Sequence, residues 1–404
     1  MVGARTLRMT WLDLPPDTGF GPDNLPYGVF STPGTAPRTG IAIGTHVLDL
    51  AGATGDPVHA TGSLNAFLER GPAAWRQLRE QVTAWLTDPQ HRPRVEPHLV
   101  PLSQAELHLP VQVADYVDFY GSKVHAENVG RIFRPDAEPL TPNWRHVPIG
   151  YHGRAGTIRV SGTLVVRPAG QRKDPADAAP TFGPSRKLDI EAEVGFVVGV
   201  PSALGTAVPL ADVEEHVFGV CLVNDWSARD LQAWEYQPLG PFLGKSFLTS
   251  VSPWVVPLAA LAAARVRPPD RDVDLLPYLR DDEHPWGLDI ELAIRINGEV
   301  VSRPPFATHY WTAAQQLAHL TVNGAALRTG DLFASGTVSG TRPDQRGSLL
   351  ELSWDGREPL TLTDGSTRGY LEDGDEVTIS ATAPGTGGGR ICLGEVTGRV
   401  QAPA

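Results

Sequence analysis

The sequence has only two cysteines in 404 residues, Cys221 and Cys392, each in an apolar run of β character. Two thiols make neither a zinc ribbon nor a disulfide framework, and no basic-then-apolar leader opens the sequence, so the expectation is a reduced, cytoplasmic protein with inert thiols. Lys/Arg-rich runs are missing as well. The formal net charge is −12 with no basic stripe, which argues against nucleic acid or an anionic membrane as partner. No apolar stretch approaches the roughly 20 residues that span a bilayer. Nucleotide motifs fail on spacing: Gly240-Pro241-Phe242-Leu243-Gly244-Lys245-Ser246 has one residue too few between its glycines for a phosphate loop. In Gly385 to Arg390 an arginine stands where a dinucleotide fingerprint needs its third glycine. Neither a G-x-S-x-G elbow nor an H-E-x-x-H helix occurs.

Glycine and proline are plentiful, 42 and 37 residues, while 41% of the chain is hydrophobic and 10 residues are Trp. That balance predicts a large core, many turns and a mostly β (α+β) fold, in two domains of unequal size. Short strands are expected at Gly40 to Gly44 and at His46 to Leu50. A helix is expected where Trp75, Leu78, Val82, Trp85 and Leu86 recur at helical spacing. Prolines 89, 93, 97, 101 and 110 mark a linker, which sets the division at 1–112 and 113–404. Downstream, two long irregular stretches, 131–148 and 167–187, read as functional or disordered loops. A second helix is expected from Trp311 to Leu320, ending near Asn323-Gly324.

The densest chemistry lies in Leu188-Asp189-Ile190-Glu191-Ala192-Glu193-Val194, where apolar residues alternate with acids. Period two predicts a strand with Asp189, Glu191 and Glu193 on one face, adjacent acids about 6.6 Å apart along it. Such a face is either solvated or holds a cation. Leu288-Asp289-Ile290-Glu291-Leu292 repeats the pattern but runs into Arg295 and the turn signal Asn297-Gly298, as a plain antiparallel edge would. Asp118, Glu191, Glu193 and Asp225 together can make an all-oxygen site, a donor set suited to Ca²⁺, Mg²⁺ or Mn²⁺.

Asp118-Phe119-Tyr120, His125, Pro148 to Arg154, Asn224 to Asp230, Gly240 to Ser246 and Ala334 to Gly340 stand in an order and spacing that resemble the fumarylacetoacetase family. The resemblance runs from about residue 113 to the C-terminus, and the first hundred residues resemble the small SH3-like domain of that family. It implies a mixed β-roll catalytic domain, a homodimer, and hydrolysis of 4-fumarylacetoacetate to fumarate and acetoacetate, the last step of tyrosine breakdown. It implies Asp118, Glu191, Glu193 and Asp225 as ligands of Ca²⁺ or Mg²⁺, with a second Mg²⁺ near Asp225, Lys245 and Thr249, the last two through backbone carbonyls. His125 is implied as the base, oriented by Glu351, with His146 and His152 as rivals. Arg229, Gln232 and Lys245 are implied as oxyanion donors, and Tyr120, Arg134, Tyr151, Gln232, Tyr236 and Thr337 as substrate contacts. Acylpyruvases, other diketone hydrolases and oxaloacetate decarboxylases share the acidic site and form the competing reading.

Overall fold

Strict alternation along Glu376–Pro384 puts Val377, Ile379, Ala381 and Ala383 on one side of a strand. The computed structural model, which describes residues 10–15, 18–282 and 285–403, buries that side. The strand belongs to a five-stranded sheet with Glu299–Ser302, Glu291–Ile296, Arg390–Gln401 and Val165–Val166. At the turn, Asn297 and Gly298 have φ of 51° and 84°, the two positive angles of a type I′ hairpin. The strand expected to be an edge is not one. Glu291–Ile296 pairs on both sides, and Leu292, Ile294 and Ile296 are wholly buried, so an edge position would leave its apolar set in water.

A larger, thirteen-stranded sheet faces the first. In it Tyr116–Phe119, Leu332–Ala334, Ala192–Val198 and Val217–Asp225 are consecutive neighbours, the first pair parallel and the others antiparallel. Val194, Phe196, Val220 and Leu222 from this sheet share one core with Ile294, Ile379 and Leu393 from the other. Each such side chain contributes about 1.5–3 kcal/mol when fully buried. The sheets approach closely where Gly398 passes Trp226: a Cβ there would lie 2.5 Å from the indole. The architecture is thus the expected α+β roll, rich in strands.

The expected N-terminal strands form at Arg38–Ile43 and His46–Asp49, in a meander with Tyr27–Ser31. The helix Gly71–Thr87 buries Trp75, Leu78, Val82, Trp85 and Leu86, the predicted stripe, and stops where Pro89 forces Asp88 to be extended. The proline-rich stretch that follows is not a loose tether. Pro89, Pro93 and Pro97 open short helical turns, where their missing N–H costs nothing. Leu99–Pro101 and Glu106–His108 pair back onto the meander. Tyr27–Ser31 also pairs with Trp254–Pro257, so the meander and the large sheet are continuous. The second helix spans Ala313–Thr321, started by Thr312 and Gln315 capping one another's backbone N–H groups.

The stretch 167–187 carries its own small hairpin, Ala169–Arg172 with Thr181–Pro184. Cys221 is buried, its thiol pushed up to about 12 by burial, and Cys392 is half-buried and also raised. Among the described residues no helix is long and apolar enough to cross a membrane.

Candidate metal and active site

Asp118 lies near the end of Tyr116–Phe119, Glu193 near the start of the antiparallel Ala192–Val198, and Asp225 at the end of Val217–Asp225. These are three of four adjacent strands, so the alternating directions bring all three acids to one end of the sheet. The predicted unbroken strand is interrupted, however: Leu188–Asp189 and Ala192–Val198 are separate, and Asp189 leaves the acidic face. Its carboxylate accepts the N–H groups of Leu349 (2.7 Å) and Leu350 (3.0 Å) and the Arg229 guanidinium (2.8 Å). Glu191, in the break, turns back to the others. Ligating oxygens of Asp118, Glu191, Glu193 and Asp225 lie within 4.8 Å of one another, and all four residues are buried.

Three cations enter this cluster. Lys245 places its ammonium on Glu191 and, at 2.8 Å, on Asp225; Thr249 donates to Asp225 at 3.0 Å. Both meet the cluster through side-chain atoms. Arg229 forms an ion pair with Glu191 at 2.7 Å, out of hydrogen-bond alignment. Arg154 is the third, donating from one nitrogen to Asp118 at 2.8 Å and Asp225 at 2.7 Å. Sequence reasoning gave it no role; a single arginine in a loop carries no periodicity to mark it.

These cations do not satisfy the acids. Asp118 Oδ1 and Glu193 Oε1 are buried without a hydrogen-bond partner. Burial first, and then the Asp225 charge, holds the Asp118 carboxyl above its ordinary range. Burial and the Asp118 and Glu191 charges do the same, more strongly, to Glu193. For Glu191 the burial effect is outweighed by Arg229 and Lys245, and its carboxyl stays low. Carboxyls raised by burial and then by one another's charge lack a counter-ion, and an all-oxygen set fits a hard divalent one.

The helix Lys123–Phe133 begins at Ser122, which caps the His125 N–H at 3.3 Å and so fixes His125 in the first turn. His125 Nδ1 lies 2.7 Å from Glu351 Oε2, and its other nitrogen faces Glu191 Oε1 at 3.8 Å. Glu351 lies on a short helix, Leu349–Leu352, and accepts further hydrogen bonds from Ser339, Ser348 and Asn128, each 2.9 Å. Burial would raise its carboxyl, but His125 and these donors hold it low. An ionised Glu351 keeps the proton on Nδ1 and leaves Nε2 free to accept one. The rivals are elsewhere: His146 is exposed, and His152 is exposed on Asp115 at 2.7 Å. Glu127 pairs outward with Arg131 at 3.0 Å.

A cavity of about 280 Å³ opens onto this cluster. Tyr120, His125, Arg134, Tyr151, Arg229, Gln232, Tyr236, Lys245 and Thr337 all line it; Asp225, Thr249 and Glu351 stand behind its wall. Val129, Phe133, Ile149 and Pro241 supply an apolar side. Tyr151 donates to Asp118 at 2.9 Å, Gln232 accepts from Arg229 at 3.2 Å, and Arg134 donates to the Pro139 carbonyl at 2.8 Å. Thr337 keeps a buried hydroxyl without a partner. The neighbouring Gly336 has φ of 82°, and a Cβ there would meet the Phe119 carbonyl at 2.2 Å, so only glycine lets this loop reach Glu193. A larger cleft of about 750 Å³ between Gly71–Thr87 and residues 257–265 has charges of both signs and no converging acids.

A family profile described as fumarylacetoacetate (FAA) hydrolase C-terminal matches residues 115–401, and one described as fumarylacetoacetase N-terminal matches residues 23–110. Fumarylacetoacetase of Homo sapiens is 46% identical over 414 residues, covering 97% of this chain and 98% of its own. That of Oryza sativa is 42% identical, covering 98% of each. Among solved structures, a fumarylacetoacetate hydrolase from Exiguobacterium antarcticum superposes with a TM-score of 0.56 at 18% identity, over 94% of this chain and 99% of its own. A maleylpyruvate hydrolase from Sphingobium sp. SYK-6 gives 0.54 at 16%, over 94% and 100%. At such identities the structural likeness is one of fold.

Proposed function

The chain belongs to the fumarylacetoacetase family, and from that membership we infer its reaction: hydrolysis of a carbon–carbon bond in 4-fumarylacetoacetate, giving fumarate and acetoacetate. The observation that carries the reading is one cavity lined by Asp118, Glu191, Glu193 and His125, with Asp225 completing the acidic cluster and Glu351 holding His125 from behind its wall. Asp118, Glu191, Glu193 and Asp225 hold the divalent ion. Ca²⁺ or Mg²⁺ suits these oxygen donors and, when bound, supplies the positive charge that lets a β-diketone release a carbon leaving group.

The remaining work falls to side chains. His125 Nε2 takes a proton from water, while Glu351 fixes the tautomer and offsets the imidazolium charge that results. Arg229, Gln232 and Lys245 border the cavity beside the acids and donate to the oxygen that becomes negative when water adds. Arg134, with Tyr120, Tyr151, Tyr236 and the unpartnered Thr337 hydroxyl, receives the substrate's terminal carboxylate, and the apolar wall takes the chain between.

The division of the chain near residue 112 is supported by the gap between the two profile matches. Free Cys221 and Cys392 suit a reducing, cytoplasmic setting. A homodimer is supported by apolar side chains left at the surface in the segment around Pro241, Leu239, Phe242 and Leu243, which are 96%, 67% and 50% exposed. Light scattering on the purified chain should return twice the 43.4 kDa chain mass; the single-chain mass would refute this.

The deciding assay follows loss of diketone absorbance with fumarylacetoacetate and, separately, with an acylpyruvate, each with chelator and with metal restored. Loss of fumarylacetoacetate alone, abolished by chelator and restored by metal, is the expected result. Preferential turnover of the acylpyruvate would keep the acidic site but assign a different diketo acid.

A further inference from the structure

We propose that Arg154 is a built-in counter-cation, which holds the acidic cluster together when no metal is bound and in doing so weakens the grip on the metal. The proposal rests on the reading that the four acids hold a divalent ion. A single Arg154 nitrogen bridges Asp118 and Asp225, two of the four clustered acids, from different strands. The guanidinium lies between the Tyr116 and Tyr151 rings, 4.9 Å from each centroid, and its side chain is only 4% exposed. Its backbone has φ of 57°, a left-handed conformation that costs an arginine energy and that the surrounding contacts must enforce. An arginine cannot shed its proton, so the charge is permanent.

The charge balance gives the reason. Arg229 is matched by Asp189, outside the ligand set. Lys245 and Arg154 offset two of the four carboxylates, which leaves the charge of one divalent ion. Without metal, Arg154 relieves repulsion between acids that cannot separate, because they are anchored on paired strands. With metal bound, the same cation repels the ion. By thermodynamic linkage, whatever Arg154 contributes to the metal-free state beyond the loaded state is taken from metal affinity. On this balance the site can lose its ion without coming apart.

The test uses the full chain and its Arg154→Met and Arg154→Lys variants, with melting temperature measured in chelator and in Ca²⁺ or Mg²⁺, and metal affinity measured by calorimetry. Loss of the ring contacts lowers both melting temperatures of Arg154→Met; loss of the charge lowers the chelated one further. Its metal affinity should rise about tenfold or more, since one like charge has left a buried site. Equal falls in the two melting temperatures, or an affinity unchanged or weakened, would overturn the proposal and leave Arg154 a packing residue. Should Arg154→Met fail to fold even with metal, Arg154→Lys decides: the charge is kept, so affinity should stay within about threefold of the parent. A tenfold change there would show that shape rather than charge matters. A parent protein that takes up neither ion refutes the metal reading itself, a result distinct from failure of the variant alone.

Discussion

His125→Gln should lower kcat by about 10³-fold, roughly 4 kcal/mol of barrier, while leaving metal affinity unchanged. Glutamine fills the space of the imidazole but cannot hold the proton that water must lose. His125 reaches the acids only at 3.8 Å and is not one of the clustered ligands, so the ion should bind as before. Glu351→Gln should cost less, about 10–100-fold, because an amide still accepts from Nδ1 but no longer balances an imidazolium. Steady-state rates beside calcium calorimetry read both parts. A His125→Gln protein with near-parental turnover would remove His125 from the role of base, and one that also lost metal would make it part of the ligand cluster.

Glu193→Gln should raise the Kd for the divalent ion by about 100-fold or more, yet the chelated variant should melt no lower than the chelated parent. The two effects have opposite signs for one reason. Glu193 is fully buried with an oxygen that none of the described residues satisfies, an arrangement that costs about 1–3 kcal/mol until a cation arrives. Burial, and then its neighbours' negative charge, already disfavours its ionised form, so the uncharged amide loses nothing in the metal-free protein. The loaded protein loses a ligand. Melting curves with and without calcium check this: the parent's calcium-induced rise should vanish in the variant. A chelated Glu193→Gln protein much less stable than its parent would mean that Glu193 supports the fold rather than the ion.

The alternating run pointed to Glu191 and Glu193 as partners, but Glu191 sits in the break before Ala192–Val198 and meets Glu193 by turning back, not by strand period. The break that removes Asp189 was not legible. It depends on Leu349, Leu350 and Arg229 competing for the carboxylate, contacts made from 40 to 161 residues away. Glu351 was found by resemblance, but its setting was not: a glutamate between leucines reads as a strand face until Ser348 caps a helical turn beneath it. The Asn297-Gly298 turn was readable because two positive φ angles demand those residue types. That its first strand would be covered on both edges was not, since pairing partners are tertiary facts. Lys245 and Thr249 reach the acids through side-chain atoms, contacts that no local pattern in the sequence announces. Arg154 stood in a matched motif but had no role assigned, since its partners are set by the strands that deliver Asp118 and Asp225.

The unbroken pairing of Tyr27–Ser31 with Trp254–Pro257 bears on how this chain can be cut. Trp254–Pro257 is the next strand after Val217–Asp225, which ends in Asp225. A fragment starting after the meander would keep every residue of the cavity, yet it would leave unpaired the edge of Trp254–Pro257 that Tyr27 and Gly28 cover. Such an edge recruits other chains, so the fragment would be expected to aggregate although nothing catalytic had been deleted. The N-terminal hundred residues act as a selvedge for the larger sheet, and a shortened version for expression would need to bring its own replacement strand.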